Sequence, residues 1–163
     1  MHDILAALRR AESTGRPWVL CDALGAAGRS YRRLGALSPA LAMFEQALRW
    51  SRVTGGADQT VDVHCELCET HTLQYEATGP DDTLRRQSAR DHARTHAHEA
   101  ARLSVHATDA RWEVTVLLRL SDLLDRLGDH DDAIELQVRA LRQMSDPADA
   151  PPPDASTAHG TLH

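Results

Sequence analysis

The 163-residue sequence contains no lysine and no asparagine, and only six of its residues are aromatic. Without lysine there can be no phosphate-binding loop of the Walker type, which needs that side chain to reach the terminal phosphates. With so few aromatic rings, the core has to be built from Leu, Ala and Val, which favours close helix packing over a β-sandwich. No apolar run approaches the roughly 18 residues a membrane helix needs, and no secretory apolar region follows Met1. Cysteine is scarce and odd in number, at three. The chain therefore reads as soluble, cytoplasmic and reduced, with no membrane partner. A net charge of −6 argues against nucleic acid as a partner, because phosphate binding needs a surplus of cations on one face. The length suits one domain, able to bury roughly two-thirds of its unfolded surface.

What is present is helical periodicity with clear punctuation. Gly15, Gly35, Gly55–Gly56, Gly79–Pro80 and Gly128 mark stops. Ser38–Pro39 reads as a cap followed by proline, and Asp81, Asp109 and Asp129 as first-turn acceptors. These signals predict seven helices, at about 2–13, 17–34, 39–53, 58–78, 82–106, 110–127 and 130–144. The final stretch, 146–163, is rich in Pro, Ala and Asp and has almost nothing to bury, which predicts a flexible tail after a helical domain at 1–145.

The helices repeat. Leu24, Ala27–Gly28, Tyr31, Gly35, Ala40, Phe44 and Ala47–Leu48 recur near the C-terminus as Leu117, Leu120–Ser121, Leu124, Gly128, Ala133, Gln137 and Ala140–Leu141. In the second copy Ser121 stands for the glycine and Gln137 for the phenylalanine. Between them, Tyr75 and Gly79 keep the same four-residue spacing, but the helix that follows fits only after several extra residues. This pattern resembles the tetratricopeptide repeat. The resemblance spans about residues 4–145 and implies an all-α fold, a right-handed solenoid of about three antiparallel helix pairs. It also implies a non-catalytic role: the first helices of the pairs would line a concave groove that holds a protein or peptide partner. Exposed terminal pairs could stack on a second copy, as a homo-oligomer.

Carried onto this sequence, the groove-facing positions are Asp22, Gly25, Arg29, Arg32 and Arg33 on the first such helix. On the second they are Asp62, Glu66, Glu69, Leu73 and Glu76, and on the third Leu118, Arg119, Asp122, Asp125 and Arg126. The 4-3-4-3 spacing of the middle set keeps its members within roughly 80° of one another around the helix. The expected groove is basic at its N-terminal end and acidic through its middle, suited to a partner of complementary charge. A solvated face without a partner would show the same stripe.

The stretch "HCELCETH" at residues 64–71 places two cysteines and two histidines in eight positions. A zinc knuckle would hold its Cys-x2-Cys in a tight turn, whereas this pair falls mid-helix, where Val61, Cys65, Cys68, Thr72 and Tyr75 form a core-type stripe. A second possibility is a zinc or other transition-metal site between neighbouring helices. It would be made from His64 and Cys68 with His92 and His96, and His71 and His98 lie nearby. Against it, an Ala89, Ala93, Ala97 and Ala100 stripe is expected to face the core and to leave His92 and His96 nearer solvent. Packing, with no cofactor, is the preferred reading. "HEAAR" at 98–102 lacks the second histidine of a zinc protease, and no strand precedes the glycines of 25–35 as a dinucleotide site requires. Trp18, Trp50 and Trp112 are read as core or capping residues. No catalytic residues are assigned.

Overall fold

The computed structural model describes residues 2–54, 56–106 and 109–145, with side chains from residue 6 onward. Seven helices account for most of these residues: α1 His2–Ser13, α2 Pro17–Arg33, α3 Leu37–Thr54, α4 Ala57–Ala77, α5 Thr83–Ser104, α6 Ala110–Arg126 and α7 His130–Ser145. Each lies within two residues of its predicted span. Among the described residues there is no strand, and no helix is long and apolar enough to cross a membrane. The expected tail at 146–163 lies outside the described residues.

The ends of the helices explain the spacing of the repeat. α2 and α6 close in the same way. The Gly35 N–H donates to the Arg32 carbonyl and that of Ala36 to Tyr31, just as Gly128 donates to Asp125 and Asp129 to Leu124. This double closure needs a left-handed residue after the helix, and the glycines supply it with φ of 73° and 80°. The starts differ in part from expectation. Asp109 caps α6 by accepting from the Arg111 N–H, but Asp82, not Asp81, caps α5, accepting from Arg85 N–H. α3 begins two residues before Pro39. The Asp129 carboxylate forms ion pairs with Arg90 at 2.5 Å and Arg94 at 3.3 Å, tying α5 to the start of α7.

Three antiparallel pairs, α2–α3, α4–α5 and α6–α7, stack in sequence, with α1 against α2. Direct contacts of α4 with both α2 and α6 set the first helices of the pairs side by side. This is an α-solenoid. Two clusters form its core, one around Leu24, Phe44 and Leu67 and one around Cys65, Ala97, Leu120 and Leu124. α4 feeds both: Val63 and Leu67 enter the first, while Val61, Cys65 and Cys68 enter the second. A helix flanked on both sides is buried nearly all round, so even its polar side chains are covered. Thr70 and Thr72 satisfy their hydroxyls on the carbonyls one turn back, Glu66 at 2.7 Å and Cys68 at 2.9 Å. α5 packs through the expected alanines, with Ala89, Ala93, Ala97 and Ala100 all buried.

Gly28 fixes how closely α2 and α3 approach. A Cβ placed there would stand 2.6 Å from Cε1 of Phe44, which is completely buried. In the last pair the matching positions are Ser121 and Gln137, and Gln137 Nε2 donates to Ser121 Oγ at 2.9 Å. One repeat joins its two helices by steric fit and the other by a hydrogen bond. Gly28→Ala is therefore expected to lower stability by about 1–3 kcal/mol, although alanine is the better helix former. Urea denaturation of the variant checks this; an unchanged or raised midpoint would show that Phe44 can move aside.

Candidate partner-binding groove

The groove positions lie on α2, α4 and α6, whose side-by-side packing decides what their charges do. Glu66 sits at the centre. Its carboxylate pairs with Arg32 at 2.7 Å, Arg119 at 3.5 Å and, more loosely, Arg29 at 3.8 Å. Glu69 pairs with Arg119 at 2.5 Å and Arg32 at 3.5 Å. Two turns further on, Arg126 grips Glu76 through Nε at 2.9 Å and Nη2 at 2.8 Å. The acidic middle expected from the sequence is therefore not a free acidic surface. Glu66, Glu69 and Glu76 are neutralised by arginines of the two neighbouring helices.

Burial separates lattice from surface. The Arg32 and Glu66 side chains are only 13% and 12% exposed. Arg32 also donates to the Glu66 carbonyl at 3.3 Å and lies 5.6 Å from the centre of the Phe44 ring. These two residues hold the helices together. Gly25, placed in the groove by the repeat pattern, is buried as well. Arg29, Arg33, Asp62, Asp122 and Asp125 remain exposed, with Leu118 exposed among them on α6. Arg33 donates to Ser30 Oγ, and Asp125 accepts from His130 at 2.6 Å.

The metal set read from the sequence is not gathered. Among the described residues, no group of three or more His, Cys, Asp or Glu side chains is arranged to hold an ion. Cys68 points into the second core cluster beside Cys65, and burial pushes both thiols up to about 12. Cys21 is likewise a free, buried thiol. The histidines do meet, in a different combination. His64 Nδ1 and His96 Nδ1 lie 3.0 Å apart, so one ring donates to the other. His71, not Cys68, faces the α5 histidines, stacking on His92 and His96 with ring centres 5.0 and 5.8 Å away. His96 is thus turned inward rather than toward solvent, while His92 is exposed and donates from Nδ1 to the Ser88 carbonyl at 2.7 Å. His98 lies apart, 3.2 Å from Asp132.

Burial pushes His71 and His96 down to about 4 and lowers His64 as well. His71 and His96 are therefore neutral at pH 7. Of the tryptophans, Trp18 is 52% exposed and so is no core residue. Trp50, also exposed, lines with Leu20 and Met43 an open apolar hollow of about 480 Å³ between α1, α2 and α3.

The family model described as Tetratricopeptide repeat matches residues 22–54 and 114–143. These stretches are the α2–α3 and α6–α7 pairs, and they leave α4–α5 between them. No curated protein matches the chain. Among solved structures, the chain is similar to the crystal structure of BtubC (BKLC) from P. vanneervenii at 17% identity, over 98% of this chain and 78% of that one. The TM-score of that superposition is 0.34, too loose to carry an argument. The two matched stretches share the same glycine closure and the same helix-pair packing, so the chain carries two tetratricopeptide repeats, α2–α3 and α6–α7.

Proposed function

We propose that the chain is a non-catalytic scaffold that holds a protein or peptide segment along the face formed by α2, α4 and α6. Tetratricopeptide repeats in general mediate protein–protein interaction and are rarely catalytic. The observation that supports this use here is the division of the groove's charges. Arg32, Glu66, Glu69, Arg119, Glu76 and Arg126 pair with one another and brace the helices. Arg29 and Arg33 at the α2 end and Asp122 and Asp125 at the α6 end stay exposed. A fitting partner is a segment with carboxylates toward α2, cations toward α6 and an apolar side chain for Leu118. The reading needs no cofactor.

Selection of a displayed random-peptide library on the full chain tests it. Selected peptides are expected to carry that charge order and to lose on the order of tenfold or more in affinity when Arg29 and Arg33 are both changed to Glu. The helical circular dichroism of that variant should not change, because both arginines are exposed and only Arg29 touches the lattice, loosely, at 3.8 Å from Glu66. Peptides that bind both proteins equally would place binding elsewhere.

A further inference from the structure

The last helix carries an apolar stripe that no other part of the described structure covers. Ile134, Val138 and Leu141 on α7 are 56%, 39% and 59% exposed. Their opposite face, Ala133, Leu136 and Ala140, is buried against α5 and α6. The 4-3 spacing of Ile134, Val138 and Leu141 is that of a seam between two packed helices. The eighteen residues that follow, 146–163, contain one large apolar side chain, Leu162, and so are poorly composed to cover it.

Charge along the stripe selects the occupant. At 100° per residue, Asp131, Glu135 and Arg142 fall within roughly 40° of one another, on one flank of the seam. All three are exposed, and among the described residues neither Glu135 nor Arg142 has an ion-pair partner. When two identical helices pack antiparallel, each flank meets the same flank of its mate in reverse order. A register that sets Val138 against itself and Ile134 against Leu141 then brings Glu135 beside the other copy's Arg142, twice by symmetry. Parallel packing would turn this flank toward the opposite flank of the mate, so that Glu135 and Arg142 would not meet.

We infer that α7 is a self-association face, on which a second copy of this chain packs antiparallel through Ile134, Val138 and Leu141. Two 16-residue helices bury less than the roughly 1,200–2,000 Å² of a standard interface. The dimer is therefore concentration-dependent, with a dissociation constant in the micromolar range. It leaves both α2–α4–α6 faces free, so a dimer would present two grooves to a partner with repeated segments.

Sedimentation velocity of the full chain across the micromolar range tests the inference. The expected result is a monomer–dimer equilibrium that Val138→Asp weakens at least tenfold. Glu135→Arg alone should weaken it too, and Glu135→Arg combined with Arg142→Glu should restore it, with the circular dichroism of all variants unchanged. Because the seam is exposed, these substitutions leave the core intact, and the rescue separates pairing from folding. A monomer at every concentration would overturn the inference. So would a dimer indifferent to Val138→Asp, or open assemblies that grow beyond two chains. None of these results bears on the groove, whose test uses Arg29 and Arg33.

Discussion

Acidification from pH 7 to pH 5 is expected to remove several kcal/mol of stability, and the loss should begin near pH 6.5, well above the range where carboxylates titrate. The cause is the cluster of imidazoles between α4 and α5. His71 and His96 fall from the ordinary 6.5 to about 4 in the folded protein, mainly because burial penalises the charged ring, and His64 is lowered for the same reason. Neighbours act in both directions. Glu99 favours a charged His64, while Arg52 from α3 and Arg102 oppose it, and the other imidazoles oppose charge on His96. For a group whose folded value lies below its unfolded value, the unfolded chain binds more protons. The stability it contributes is fully present above 6.5 and is lost progressively as pH falls toward 4.

Each pH unit corresponds to at most about 1.4 kcal/mol per histidine, so His71 and His96 together lose about 3 kcal/mol between pH 6.5 and 5, less whatever their mutual coupling removes. That is a large share of the roughly 5–15 kcal/mol that holds a domain together. Urea midpoints measured at half-unit steps between pH 7.5 and 5 read the effect. His71→Gln with His96→Gln is expected to flatten the profile, whatever it does to stability at pH 7. A wild-type profile already flat above pH 5, or a double variant with the same slope, would show that the rings carry no such penalty.

Glu66→Lys should cost about 3–5 kcal/mol, because it leaves the nearly buried Arg32 guanidinium against a second cation instead of its carboxylate. Glu66→Gln, which keeps the shape and an acceptor oxygen, should cost about 1–3 kcal/mol. Replacing Arg32 and Glu66 together by Met removes both charges at similar volume and is expected to recover most of the loss. Arg32 also packs against Phe44, and Glu69 at 3.5 Å can compensate only in part. Thermal melts of the four proteins decide the matter. If Glu66→Lys melts with the wild type, the lattice contributes nothing and Glu66 is free to face a partner. The expected result means that charge reversal at Glu66 or Glu69 cannot serve as a test of partner binding, because it would unlock α2 from α4.

The local pattern of this sequence determined its helices and its repeat. Period-3.6 apolar spacing, glycines that tolerate a left-handed closure, and the Ala27–Gly28 and Ala40–Phe44 spacing act within one or two neighbouring elements, so their meaning survives without knowledge of the fold. The same holds for the alanine face of α5 and for Cys65 and Cys68 as core residues. What only the tertiary structure decided is how side chains on different pairs meet. Glu66 and Arg119 are far apart in the chain, and whether they meet or face solvent depends on how the first helices of successive pairs pack, which a charge stripe does not encode. The expected acidic groove became an Arg–Glu lattice for that reason. The histidines follow the same logic. A rotation of α5 that turns His96 inward, with His71 rather than Cys68 opposite it, follows from how Ala93 and Ala97 seat against α4. The repeat is written in neighbouring residues, and the chemistry of its surfaces is set by packing between them.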